Sequence, residues 1–288
     1  MTSSAVTTEL PAAGPASVDD WNGWAGDGWI DLQKTLDAMF APQRDFLLAQ
    51  LREDDRRKVL DIGCGTGATS LALSARLADG GHCTGIDISG PMVMLARKRL
   101  SSTPLPVDFV VADAATHPFK AGHYELLVSR FGVMFFPDPK QAFSNLLRAA
   151  APGAELHALA WRRPEDNPFM TIAGRAASSV LPELKPPPPN EPGQFGFADS
   201  DWVQGILGNS GWGQVRMNAL NFACAFPADQ LAGFVTKLGA LGRRWPDLDK
   251  ATRAALLEAV LPAYEPHIGG DKVHFTAACW HISAKAPR

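Results

Sequence analysis

Nine residues, Val59-Leu60-Asp61-Ile62-Gly63-Cys64-Gly65-Thr66-Gly67, constrain this chain more than any others. A short apolar run ends in glycines at alternate positions, and residues 68–78 then show apolar side chains at helical spacing. A strand that enters such a loop and leaves as a helix can turn tightly, and its backbone can be approached closely by a ligand. The free N–H groups that open the helix favour an anionic ligand group. Dinucleotide-binding proteins use a related loop spaced GxGxxG, whereas the spacing here is GxGxG. Asp61, inside the strand, would repel a pyrophosphate but can meet an ammonium, so the loop suits a ligand whose arm carries an ammonium.

The flanking pattern extends this unit into a fold. Strand-like runs at 58–62, 82–86, 107–111, 124–129 and 154–161 alternate with helical runs at 68–78, 90–100 and 140–150. Such alternation predicts an α/β domain with a doubly wound parallel sheet. Beyond Trp161 the sequence predicts a helix at 169–181 and an extended connector within 185–197. Four consecutive prolines there fit neither a helix nor a central strand. A helix with an acidic cap at 199–209, a strand at 214–223, helices at 228–241 and 249–261, and a final strand at 273–284 follow. Because strands return, 162–198 reads as a cap inserted into one domain, 57–288. Residues 19–56 read as a helical lid, and 1–18 as a disordered tail without the basic start or apolar core of a signal peptide.

Composition narrows the partners. A net charge of -3, with no basic cluster beyond short runs, argues against nucleic acid and anionic membranes. No run approaches the ~18 apolar residues of a membrane helix. The four cysteines are far apart and form no CxxC pair, which suggests neither a zinc site nor a disulfide framework and fits a reducing cytoplasm.

Two further carboxylates fall in order along the predicted strands. Asp87 ends the second, where doubly wound folds hold ribose hydroxyls; it could equally cap the next helix. Asp113 follows the third, placed for an adenine amino group or simply for a turn. The series VLDIGCGTG, GIDIS, VADAATHPF and LLVSRFGVMFFPDP resembles the class I S-adenosylmethionine-dependent methyltransferases, especially the small-molecule branch of ubiquinone and menaquinone type. The resemblance spans roughly residues 57–161 and is looser beyond. It implies a Rossmann-like seven-stranded sheet with an antiparallel last strand, and S-adenosyl-L-methionine as cofactor. It further implies that Gly63, Cys64, Gly65 and Gly67 wrap the methionine part, that Asp87 and Ile88 hold the ribose, that Asp113 and Ala114 face adenine, and that Ser129 lies near the sulfonium. Glu125 departs from the Asp that often begins the fourth strand, which should affect a turn only.

The acceptor side is set by Ser129-Arg130-Phe131-Gly132-Val133-Met134-Phe135-Phe136. It lacks both the Asn/Asp-Pro-Pro-aromatic run of amine-methylating enzymes and the carboxylates with which catechol-type enzymes hold magnesium, so no metal is expected. Arg130, Phe131, Met134 and Trp161 are the candidate substrate contacts, although the apolar ones could be core and Arg130 could cap a helix. Trp21, Trp24 and Trp29 need a partner surface, either the core or the cofactor. His157, His281, His123 and His267 are possible bases, none of them compelling. The expected activity is methyl transfer to a small hydrophobic or aromatic molecule. A non-catalytic adenosylmethionine-binding regulatory or assembly protein is the alternative. A short-chain oxidoreductase is disfavoured, because Val128 and Ile268 stand four residues after the two tyrosines.

Overall fold

The computed structural model describes residues 17–288 apart from 53, 56, 102, 103, 183 and 185–189. The polyproline connector and most of the N-terminal tail therefore lie outside the described residues. The chain opens with four short helices: α1 (Val18–Asn22), α2 (Trp24–Asp31), α3 (Gln33–Met39) and α4 (Ala41–Leu48). Ser17 and Asp20 form a reciprocal capping box on α1, satisfying N–H groups that a helix start leaves free.

The alternating unit follows: β1 (Lys58–Ile62), α5 (Ala68–Ser74), β2 (His82–Asp87), α6 (Gly90–Leu100), β3 (Val107–Val111), β4 (Tyr124–Arg130), α7 (Pro139–Ala149) and β5 (Ala150–Trp161). α5 stops at Ser74, short of the expected 78. Leu77 still packs against the core after the helix has ended, which is what the apolar spacing registered. β5 starts at Ala150, so Pro152-Gly153 opens the strand irregularly instead of lying ahead of it, and the pairing with β4 shifts register there.

Next come α8 (Pro168–Ala177), α9 (Ser200–Asn209), β6 (Gly213–Pro227), α10 (Leu231–Lys237), α11 (Gly239–Arg244), α12 (Lys250–Val260), β7 (Ile268–Gly269) and β8 (Lys272–Lys285). The single helix expected at 228–241 is broken. Leu238 is extended and Gly239 sits at φ +65°, a left-handed conformation that ends one helix and starts another. Asp199 and Asp249 cap α9 and α12 through their side chains, as acidic residues ahead of a helix should.

The strand order is β3-β2-β1-β4-β5-β8-β6, with the two-residue β7 paired to β8. β1 to β5 are parallel, and β8 runs antiparallel to both β5 and β6. Strand alternation splits the core. Leu60, Ile62 and Leu127 face one layer, while Val59, Leu126 and Val128 face the other. Because β6 runs in the direction of β5, the segment after it emerges on the side of the strand carboxyl ends, with β6 continuing past the level of Trp161 to Pro227. α8 packs on α11 and α12, so the segment after β5 and the segment after β6 lie together. α2 packs against α10 and α11. At Gly28 any Cβ would come 2.4 Å from the Lys237 carbonyl oxygen, so glycine is what lets these elements touch.

At the opposite end of the sheet, charges are closely paired. Arg57 contacts Asp55 at 2.6 Å and Glu155 at 2.8 Å, and Lys285 and Arg52 each reach Glu155 at 3.3 Å. Glu125 accepts a hydrogen bond from the Lys58 backbone at 3.1 Å, far from the glycine loop. Among the described residues no helix is long and apolar enough to cross a membrane.

Candidate active site

The carboxyl ends of β1, β2 and β4 meet around the glycine loop. Gly63, Gly65 and Gly67 all have left-handed φ, at +70°, +53° and +86°. They serve different ends. A Cβ on Gly63 would stand 2.7 Å from Gly132 Cα, so this glycine lets the β1 and β4 loops cross. Gly67 packs against Ala96 and Phe109, whereas Gly65 has only the Met92 sulfur within 3.9 Å. Gly65 is the glycine that borders open space. Cys64 is buried, and its N–H donates to the Ile86 carbonyl at 3.0 Å.

Asp87 anchors this turn. Its two oxygens accept hydrogen bonds from the Gly65 N–H at 2.7 Å and the Ser89 N–H at 2.9 Å. Burial pushes its carboxyl above the usual carboxylate range. Both readings of Asp87 are thus compatible: it organises the loop and the start of α6, and each oxygen keeps a further lone pair. Ile88 beside it is half-buried. Asp113 is half-buried and accepts from the Ala115 N–H at 2.8 Å, while the carbonyl of buried Ala114 accepts from Asn145 at 3.0 Å.

Asp61 is fully enclosed. Ser70 donates to one of its oxygens at 2.6 Å, and the other, Oδ1, has no partner. Burial pushes the Asp61 carboxyl up to about 6. Ser129 does not point a free hydroxyl into the site: its Oγ donates to the Ile62 carbonyl at 2.7 Å and accepts from Gly132 at 3.2 Å, stitching the β4 end to the loop. Arg130, the last residue of β4, makes one long hydrogen bond, to the Phe40 carbonyl at 3.4 Å, and sits 5.9 Å from the Phe40 ring centre. Burial holds its guanidinium below its ordinary value, opposed by the nearby charges of Asp37 and Asp61.

Beside Arg130 lies a cluster of buried aromatic rings that belongs to the core, the alternative the sequence left open for Phe131, Met134 and Trp161. Phe131 stacks on Trp161 at 4.1 Å with 10° between the planes, and Phe40 stands 5.3 Å and 5.7 Å from the two rings. Phe169 packs edge-on against Trp161 at 5.9 Å. Phe131 adopts φ +67°, a strained conformation for a bulky residue that its surroundings enforce. Met134 lies in the core, with its carbonyl accepting from the Gly193 N–H at 3.0 Å. His157 and His281 bond each other at 3.0 Å in mid-strand. Trp161 lies four residues beyond His157, about 13 Å along the strand. Burial lowers His157 and takes His281 down to about 4, so both are neutral.

The N-terminal helices lie against the loops that follow β2 and β4. Ser89 Oγ donates to the Trp21 carbonyl at 2.6 Å, Gly90 N–H donates to Asn22 at 3.0 Å, and Trp21 meets Phe135 edge-on at 5.0 Å. Trp24 donates to Asp20, and Trp29 packs beside Phe40. Asn22, Phe40 and Gly132 escaped the sequence reading. Gly132 follows Phe131 directly and could have been suspected, but nothing local marks the other two, whose roles arise only from chain-distant packing.

A family profile described as "Methyltransferase domain" matches residues 59–153. The demethylmenaquinone methyltransferase of Thermus thermophilus is 34% identical over 128 residues, 44% of this chain and 58% of that protein. Residues 59–153 thus carry a class I S-adenosylmethionine-dependent methyltransferase domain. The chain spans about half the length of the curated relatives it matches. Two solved structures share the methyltransferase fold. The YcgJ protein of Bacillus subtilis has a TM-score of 0.57 at 14% identity, covering 86% of this chain and 99% of its own. Phosphoethanolamine N-methyltransferase 2 of Haemonchus contortus, solved with S-adenosyl-L-methionine, has a TM-score of 0.52 at 15% identity, covering 86% and 53%.

The cofactor of such a domain is S-adenosyl-L-methionine, and the residues present fit it. Asp61 Oδ1 is a buried acceptor that lacks a donor, which an ammonium would supply. Gly65 leaves the backbone bare beside it. Among the described residues no group of three or more His, Cys, Asp or Glu side chains is placed to hold a metal ion.

Proposed function

We propose that this protein transfers a methyl group from S-adenosyl-L-methionine to a small hydrophobic or aromatic acceptor without a metal. The observation that supports the acceptor class is the cluster of buried rings Phe40, Phe131, Trp161 and Phe169 at the carboxyl ends of β4 and β5, which gives this edge of the sheet an aromatic interior. Ligands of open α/β sheets gather at that edge. The Thermus thermophilus relative is named for demethylmenaquinone, a flat quinone, and that supports the same class of acceptor. No carboxylate of the Ser129-Arg130 turn could hold a divalent cation.

The cofactor supplies the electrophilic methyl group together with its leaving group. The chain's own task is alignment and exclusion of water. In this reading Asp61, Gly63, Cys64, Gly65 and Gly67 receive the methionine part, Asp87 and Ile88 the ribose, and Asp113 and Ala114 the adenine, with Ser129 shaping the floor. Residues 19–56 form the lid, and the cap closes from the other side. Phe131 and Trp161 orient the acceptor, with Arg130 and Met134 at its border. No side chain is assigned as base, since the His157–His281 pair sits in mid-sheet. The four free, buried cysteines support work in a reducing cytoplasm.

Incubation with S-adenosylmethionine labelled in its methyl group, across a panel of quinols, phenols and amines, tests this proposal. Label should pass to an aromatic hydroxyl or ring carbon, with the rate unchanged by EDTA. Tight binding of S-adenosylhomocysteine with no acceptor labelled would instead mark a regulatory binder.

A further inference from the structure

At the head of the sheet, buried Asp61 lacks a partner that burial ordinarily demands, and the half-buried Arg130 nearby uses little of its hydrogen-bonding capacity. Asp61 lies on β1 opposite Val128 of β4, and Arg130 is two residues further along β4. Alternation therefore puts Asp61, Val128 and Arg130 on the same face of neighbouring parallel strands, which stand about 4.8 Å apart. Asp61 Oδ1 has no donor. Arg130 offers five N–H donors, of which one makes a single long bond to the Phe40 carbonyl. The two side chains form no ion pair with each other, although each feels the other's charge.

The other charges around Arg130 are engaged elsewhere. Arg99 holds Asp37 at 2.6 Å and reaches back to the Thr66 carbonyl of the glycine loop, also at 2.6 Å. Arg44 is occupied by Asp45 at 2.8 Å. Asp37, although near Arg130, is thus already paired with Arg99, and it forms no ion pair with Arg130. An enclosed carboxylate oxygen and an under-used guanidinium on one face are complementary to a ligand group that carries both charges on one carbon. An α-amino acid is such a group.

We infer that Arg130 grips the α-carboxylate of the cofactor's amino-acid arm while Asp61 takes its ammonium, so that the pair forms a receptor for the zwitterion. This rests on the methyltransferase reading above and gives Arg130 to the cofactor, not to the acceptor. The planar fork of arginine matches a carboxylate in two parallel hydrogen bonds, a geometry that lysine cannot reproduce. The Phe40 ring beside the guanidinium keeps the fork in place without competing for its donors.

Calorimetric titration with two ligands tests the assignment without requiring the acceptor. S-adenosylhomocysteine carries the amino-acid arm, and 5′-deoxy-5′-methylthioadenosine does not. Arg130→Met should weaken S-adenosylhomocysteine by about 10- to 100-fold, the range for a lost charge-assisted pair of hydrogen bonds. Methylthioadenosine should bind the variant as it binds the wild type, which also shows that the pocket has folded, and Arg130→Lys should recover part of the loss. In the wild type, the analogue of S-adenosylhomocysteine lacking only its carboxylate should bind at least about tenfold more weakly than the parent. That comparison holds even if Arg130→Met does not fold. Unchanged S-adenosylhomocysteine affinity in Arg130→Met overturns the proposal and returns Arg130 to the acceptor. An equal loss of both ligands overturns it as well, since the effect would then be structural. A wild type that binds neither ligand sinks the methyltransferase reading itself, a result distinct from both.

Discussion

The two ends of the sheet treat charge in opposite ways. At the amino end, Arg57, Asp55, Glu155 and Lys285 interlock, and hydrogen bonds to Arg57 and Lys285 hold Glu155 below the usual carboxylate range, as those from Arg57 and Arg52 hold Asp55. At the carboxyl end, Asp61 keeps an oxygen without a donor and Arg130 keeps most of its donors uncommitted. One end is closed by its own side chains; the other leaves hydrogen-bonding groups of its own unpaired. Stability and function are therefore separable along the strands.

Four expected outcomes would break or sharpen that contrast. The largest concerns the amino end. Arg57→Met leaves the buried Asp55 carboxylate without its cation, while Glu155 keeps Lys285 and Arg52, and should destabilise the fold by about 3 kcal/mol in denaturant titration. Affinity for S-adenosylhomocysteine in the folded fraction should not move, and a parallel loss would show that the ends are coupled. At the other end, Asp87→Ala should weaken S-adenosylhomocysteine by about 100-fold. Two backbone N–H groups lose their acceptor as well, so some stability will go with it, to be measured by thermal melting of the ligand-free protein.

Two further effects follow from pH. The Asp61 carboxyl lies near 6 in the fold and near 3.9 in an unfolded chain, so its protonated form is the one the fold prefers. Its contribution is full below about 4 and lost as pH rises through about 6, a change on the order of 3 kcal/mol at most. Asp55 and Glu155 are shifted the other way, and their contribution is lost as pH falls. Asp61→Asn should flatten the upper slope only and weaken S-adenosylhomocysteine about tenfold at pH 8. Smallest is the ligand's own profile. Affinity of the wild type should decline as pH falls through about 6, because an ammonium needs the ionised carboxylate. A flat profile between pH 5 and 8 would detach Asp61 from the ligand.

The strand–loop–helix units were legible because each is local. β1 and β3 fell where alternation placed them, and Asp61, Asp87 and Asp113 were marked by position in repeating βα units. Asp199 could be read as a cap because a cap acts within three residues. What escaped the sequence depends on distant partners. The break at Leu238 serves packing against α2, about 200 residues away. The place of the segment after β6 needed the direction of that strand, which periodicity does not carry. Phe40 joins the aromatic cluster from the N-terminal segment, and the uncommitted donors of Arg130 could not be known before its neighbours were placed.

The measurement that reaches the central claim most directly is titration of the purified wild-type protein with S-adenosylhomocysteine at pH 7.5, read by calorimetry and by thermal melting. One molecule should bind per chain and raise the melting temperature, since the ligand completes groups that the empty fold leaves unsatisfied. No heat and no shift at millimolar ligand would contradict the account.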